Sequence, residues 1–482
     1  MHLIPDTSHH LHMLVSVFPF VGLIFVLGFY VAGMITDNDV AKRFSLLAVA
    51  ALGVLSIPTY FSGEASASAI AAGANFTQVT DDRIYYHAGW GWAALIMSGV
   101  TGATALGALG MYPSGRRISN DAMHLVLGLS LITIGLMIVT GELGWQVAHY
   151  ELHQGVVQGA GPQLPSGSDI AEGQATSQNW SHTHMILNHF PTVGFVITLG
   201  FFVISLMTGN VVLQRASLVG FTICGVLGAP TYATGAAAMW ALTQPELPDV
   251  TKPVIDAHRD FAMWTLFGLA ATGVTSYLEV WRFRYKGVIS QNTLFLVLGF
   301  AIITLGLMAE TGHRGGFINH PEIRTYAMPT DSGDFLSPAI ELLINNVIWF
   351  VPWQTVHFFG YSLVFGTVTA VALRILGFWK SVPFSAVHRF LPLGVFGVAA
   401  NIFTGMLMLM ADTFRYVNEI TFVPKMFFLP IGAISVIYFS LSDKLWKVKA
   451  GEDAPMLAKW IAVLVVLSWI GVIMGGRLLP YL

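Results

Sequence analysis

Apolar residues in this chain do not alternate with polar ones; they run on. Twelve such runs fall near 13–36, 43–70, 85–111, 122–141, 185–208, 216–242, 259–281, 292–310, 354–378, 387–410, 422–441 and 458–476. Each approaches the ~20 residues that an α-helix needs to cross the hydrocarbon layer. Strands of a membrane barrel would alternate and be about half as long. Lipid offers no partner for backbone N–H and C=O groups, so continuous runs of this kind must be helical. The expected fold class is therefore all-α, a polytopic membrane protein of twelve spans.

Composition agrees. Of 482 residues, 55% are hydrophobic and 10% charged, against roughly 25% charge in a soluble domain. Mean hydropathy is +0.67. The net charge of −3 comes without a basic tract, which argues against nucleic acid as a partner. The single cysteine, Cys224, excludes intrachain disulfides, iron–sulfur ligation and a covalent CxxCH haem.

Basic residues gather in alternate loops: Lys42 and Arg43, Arg116 and Arg117, Arg215, Arg282 to Lys286, Arg374 and Lys380, and Lys444 to Lys449. The positive-inside rule makes that face cytoplasmic. The expected setting is the bacterial inner (cytoplasmic) membrane, with both termini periplasmic and two long outer loops, about 143–183 and 312–350. The first run lacks a basic leader, so no cleavable signal peptide is expected.

An internal repeat sets the architecture. His12-Met13 with Phe18-Pro19 returns as His184-Met185 with Phe190-Pro191. Pro58-Thr59-Tyr60 with Gly63 returns as Pro230-Thr231-Tyr232 with Gly235, and His87 returns as His258. Gly135-Leu136-Met137, Thr140-Gly141 and His149 return as Gly306-Leu307-Met308, Thr311-Gly312 and His320. The expected domains are a first four-helix repeat (1–155), a periplasmic linker (156–181), a second repeat (182–325), a second linker (326–349) and a divergent third four-helix bundle (350–482).

All histidines except His124 and His388 fall at the outer face of this topology. In an up-down-up-down bundle the first and third helices lie diagonally across the core. Imidazoles at one depth on both, His12 with His87 and His184 or His189 with His258, suit the two axial positions of a b-type haem. His149 and His320 are reserve ligands or supports of ligands, and Arg83, Arg259 and Arg314 are candidates to pair propionates. Two haems b are expected, with quinone as a further ligand to consider. A single interfacial histidine is more often an anchor, so the weight rests on the duplication. His9, His10, His12 and Met13 form an alternative copper-binding cluster. Glu64 and Glu142, replaced by Ala236 and His313 in the second copy, are expected near the outer end of the first core, as quinol proton acceptors or helix caps. Gly102, Gly107 and Gly273 are expected to allow close helix approach. The third bundle offers His357 and, on its third helix, Lys425, while Met408 and Met410 end the neighbouring helix; His–Met or His–Lys ligation is the alternative to the expected role as a haem-free packing bundle.

These residues resemble a family of small four-helix bacterial membrane domains of unknown function, patterned HPxxxHFP, then a histidine, then GGxxVxxHG. His184 to Pro191 fits the first motif with Met185 in place of proline, and His12 with Phe18-Pro19 fits it without the second histidine. His87 and His258 fit the middle position. Gly144 to His149 and Gly315 to His320 are similar to the closing motif. The third bundle is distantly similar to copper-resistance-type membrane domains. The resemblance implies a redox or metal context.

The expected function is a b-type haem-binding electron-transfer subunit of a respiratory complex, passing electrons between the quinone pool and periplasmic c-type cytochromes or other redox subunits. The alternatives are a metal-handling or transport protein and a haem-free anchor for periplasmic subunits.

Overall fold

The computed structural model describes residues 8–71, 81–113, 115–148, 168–243, 252–319, 347–411 and 413–478, and no strand occurs among them. The helices are α1 (Ser8–Ile35), α2 (Asp39–Ala71), α3 (Asp81–Met111), α4 (Asn120–Ala148), α5 (Ser168–Thr208), α6 (Val211–Thr243), α7 (Lys252–Lys286) and α8 (Gln291–Asn319). They continue as α9 (Val347–Leu376), α10 (Phe384–His388), α11 (Leu391–Ala411), α12 (Thr413–Asn418), α13 (Phe422–Leu441), α14 (Asp443–Trp446) and α15 (Met456–Leu478). Among the described residues, twelve stretches of helix are long and apolar enough to cross a membrane. The chain is an all-α, multi-pass membrane protein.

The parts expected as long outer loops are helical at both margins. Helix α4 runs to Ala148, α5 begins at Ser168 and α8 runs to Asn319.

The repeat is structural as well as sequential. Asp37 and Gly209 occupy the same left-handed turn after the first helix of each copy, with φ of 48° and 64°. The next residue caps the second helix in both copies. The Asn38 side chain accepts from the Ala41 amide at 2.8 Å, and the Asn210 side chain from the Leu213 amide at 3.0 Å. In the first bundle α1 packs on α2 and α4, and α3 packs on α2 and α4, which leaves α1 and α3 diagonal.

Small residues bring the second and third helices together in each copy. A Cβ on Gly53 would lie 2.8 Å from the Ser98 carbonyl oxygen, and one on Gly225 would lie 2.9 Å from that of Leu269. Gly102 and Gly273 face the same contacts from the other side, whereas Gly107 looks onto open space and takes no part. Deeper in each core Thr101 bonds Thr133 at 2.8 Å, and Thr272 bonds Thr304 at 3.2 Å.

The chain forms two compact units, 1–167 with 196–217, and 168–195 with 218–482. In the first unit the tip of the α5–α6 hairpin packs on the first bundle. Phe201 stacks on Phe29 at 4.0 Å, and Asn210 donates to Asn38 at 3.1 Å. In the second unit, α9 packs on α11 and α15, α13 packs on α15, and α7 touches both α11 and α13. There Ala229, Ala233, Ala236 and Ala237 of α6 share one core with Ile402 and Met406 of α11 and Met426 of α13.

Candidate functional site

Each repeat brings two histidines together near one end of its bundle, the end away from the basic loops. The ring centroids of His12 and His87 are 6.2 Å apart, and those of His184 and His258 are 6.5 Å apart. The ring planes cross at 75° in both pairs. His184, and not His189 five residues on, faces His258.

One local device holds all four rings. The Nδ1 atom of His12 lies 2.8 Å from the carbonyl oxygen of Thr59, and that of His87 lies 3.0 Å from the carbonyl oxygen of Thr140. His184 meets Thr231 at 3.0 Å and His258 meets Thr311 at 2.9 Å in the same way. A helical carbonyl already accepts from the amide four residues ahead and has one lone pair left. To use it, a ring must come in beside residue i+4. That residue is Gly63, Gly144, Gly235 or Gly315 in the four cases. A Cβ there would lie 2.9, 2.6, 2.7 or 2.9 Å from the imidazole Cε1. Any side chain larger than hydrogen would therefore displace the ring. Thr-x-x-x-Gly on the second and fourth helices is thus the cradle for histidines on the first and third. That spacing is visible in the sequence, but it acquires meaning only once the helices are known to face one another.

The chemistry of the four rings follows. A carbonyl only accepts, so Nδ1 carries the proton and Nε2 keeps a free lone pair. Among the described residues no hydrogen bond engages these Nε2 atoms. A first-row metal–imidazole bond of ~2.0 Å, plus ~1.1 Å from nitrogen to ring centre, puts two imidazoles on opposite sides of one metal about 6.2 Å apart. The separations of 6.2 and 6.5 Å match that span. No cluster of three or more His, Cys, Asp or Glu side chains is present among the described residues. Among the described residues a bare ion would find two such donors in each pair. A porphyrin brings four nitrogens of its own and needs two from the protein, and two facing imidazoles supply that number. Below the first pair a small cavity of about 10 Å³, room for about one water, is lined by Pro19, Gly53, Ser56, Ser98 and Thr101 among others.

Other expected site residues sort less simply. His149 and His320 lie outside the described residues, as do the side chains of His9 and His10. Arg259 is held by Asp256 at 3.1 Å and Asp260 at 2.8 Å. Arg314 pairs with Glu310 at 2.8 Å and lies over the Phe261 ring at 4.2 Å. Arg83 is half-buried on α3. Glu64 and Glu142 are exposed and do not enter the core, and Glu64 accepts from Tyr60 Oη at 2.7 Å.

At the basic end, sequence reasoning left His388 without a mate. It is fully buried. Its Nδ1 is 3.0 Å from Tyr285 Oη and its Nε2 is 3.1 Å from Ser440 Oγ, which in turn bonds Tyr277 Oη at 3.0 Å. Both nitrogens are satisfied, so this histidine ties α10 to α7 and α13.

No family model, no curated protein and no solved structure matches this chain.

Proposed function

We propose that the protein is a membrane electron-transfer subunit whose first two bundles each hold a b-type haem. His12 with His87, and His184 with His258, would be the axial ligands. The observation that carries this reading is the pair of crossed imidazoles, each with a protonated Nδ1 and a free Nε2, built twice at one spacing. When bound, the haem supplies a one-electron couple. The chain's own residues fix the ring tautomers, set the ring orientation and exclude side chains from the cradles. Backbone support of a ligating imidazole raises its basicity and locks its rotation.

Both pairs sit at the face that the positive-inside rule assigns to the periplasm. That placement supports exchange of electrons with periplasmic c-type cytochromes or other redox subunits, with quinone at the lipid-facing side, in a bacterial inner membrane. Among the described residues no ladder of histidines links the two faces, which argues against a route across the bilayer.

The test is a reduced-minus-oxidised spectrum and a haem count on the purified chain. Each repeat should contribute one b-type haem, and His87→Ala and His258→Ala should each remove one. Full haem retention in both variants would overturn the assignment of ligands. A chain without any b-type band would overturn the function.

A further inference from the structure

The third bundle repeats the device with one ligand changed. His12 is backed by the Thr59 carbonyl and the Ser62 hydroxyl, His184 by the Thr231 carbonyl and the Thr234 hydroxyl, and His357 by the Asn401 carbonyl and the Thr404 hydroxyl. In each bundle the hydroxyl stands three residues beyond the carbonyl on the same helix. His357 Nδ1 lies 2.9 Å from Thr404 Oγ1, which spends its own proton on the Ala400 carbonyl at 2.6 Å. That hydroxyl can therefore only accept from Nδ1, and Nε2 is again left free. A glycine again meets the ring edge, with a Cβ on Gly405 falling 3.3 Å from His357 Cε1.

Diagonally across this bundle, on α13, the place of His87 and His258 is taken by Lys425. Glycines of the fourth helix make room for it, as Gly144 does for His87. A Cβ on Gly475 would lie 3.0 Å from Lys425 Cβ, and one on Gly476 would lie 3.7 Å from Lys425 Nζ. The lysine is an electrostatic neighbour of His357. No hydrogen bond or ion pair engages its Nζ among the described residues. A lysine at membrane depth is costly and demands a reason. An aromatic run joins this bundle to the second: Trp264 meets Phe267 at 5.5 Å, Phe267 meets Phe403 at 5.0 Å, and Phe403 meets Trp353 at 5.4 Å.

We propose that the third bundle binds a third iron porphyrin, with His357 Nε2 and Lys425 Nζ as its axial ligands. This rests on the haem reading of the two repeats. Coordination releases one proton from the ammonium and moves no electron; the neutral amine then donates its lone pair to iron. The aromatic run makes this site the neighbour of the second bundle's pair, so the chain would carry three redox centres, two of them side by side in one unit.

The experiment is a haem count with visible and electron paramagnetic resonance spectra on the full purified chain, for wild type, His357→Ala, Lys425→Arg and Lys425→His. The expected counts are three for wild type, two for His357→Ala and Lys425→Arg, and three for Lys425→His with the amine-ligand signal replaced by a bis-imidazole one. Retention of the other two haems reports that the variants fold. Arginine keeps the charge and can reach the interface, yet it does not deprotonate to become a ligand. Three haems in Lys425→Arg would therefore show a merely interfacial lysine and overturn the proposal. Two haems in wild type, both lost through His87 and His258 variants, would overturn the third site alone. None in wild type would overturn the reading of the repeats as well.

Discussion

The first and second bundles carry the same pair of rings in different surroundings. In the first, the α2 face beyond the pair presents Val54, Ile57 and Phe61 outward, at 62%, 47% and 57% exposure. In the second, Val226, Ala229 and Ala233 stand at the matching α6 positions, all buried, and the two alanines share a core with residues of α11 and α13. Tyr60 bonds Glu64 on its own helix, whereas its counterpart Tyr232 bonds Met410 of α11 at 2.7 Å. The charges differ too. Around His258 stand Arg259, Arg314, Asp256, Asp260 and Glu310, where the first copy has Ala88, Leu143, Tyr85, Gly89 and Val139. The cradle is retained while the faces around it diverge. A ring position defined by one carbonyl and one glycine tolerates any change that leaves those two atoms in place.

The largest expected effect is all or none. His87→Ala should empty the first bundle and leave the second intact, and His258→Ala should do the reverse; haem counts and difference spectra decide this. Loss of both haems from either variant would show that the two sites are one cooperative unit.

Next comes the cradle itself. Gly144→Ala and Gly235→Ala should each remove most of one haem, because the added Cβ would meet the ring at 2.6 or 2.7 Å. Gly141→Ala and Gly312→Ala, where the added methyl meets open space, should keep both. Equal haem content in all four variants would remove the cradle from the account.

Ala236→Glu copies the first bundle's residue into the second. Glu64 is exposed, whereas Ala236 is 5% exposed inside an apolar core. An unpaired carboxylate there should cost about 3 kcal/mol. Thermal unfolding of the detergent-solubilised chain should show it, with the first bundle's haem unaffected. Unchanged stability would mean that the α6 face is not buried in solution.

A smaller effect separates the potentials of the two haems. Arg314 is a cation near His258, and Glu310 would lose its partner without it. Arg314→Gln should lower the second haem's midpoint by on the order of 50 mV, about tenfold in the one-electron equilibrium. Redox titration should show the first haem unmoved. An equal shift in both would refer the effect to the whole chain's charge.

The smallest effect is at the basic end. The hydrogen bond from Lys42 at 2.6 Å holds the exposed Asp37 carboxyl below its ordinary range, with Arg117 adding to the pull. A lowered folded-state value means that the contribution is present above the ordinary carboxylate range, ~3.9, and fades as pH falls through the lowered value. Asp37→Asn should remove that slope from acid unfolding. Gly209 and Gln214 stand at the matching positions of the second copy, so no such slope is expected there. An unaltered acid limb would show that the pair is fully screened.

Much of this was legible in the sequence. Long uninterrupted apolar runs can satisfy their backbones in lipid only as helices. A register held from His12 to His149 and again from His184 to His320 announces two copies of one bundle. Even the partners His12 with His87, and His258 with a histidine of the fifth helix, follow from helix order. The choice of His184 over His189 did not follow, because helix periodicity alone does not say which of two faces looks inward. Gly107 looks like Gly102 in sequence, yet it faces open space. Glu64 and Glu142 read as core carboxylates and stand outside.

What the sequence determined by itself was the set of spans, their number and their duplication, since these depend on local hydrophobicity and on spacing along one chain. The tertiary structure decided the roles of Thr59, Gly63, Thr140 and Gly144 and their counterparts, the burial of His388 and the alanine face of α6. Each of these depends on a contact between helices far apart in the chain. A carbonyl offers its second lone pair, and a glycine its missing methyl, only to the side chain that folding places beside them.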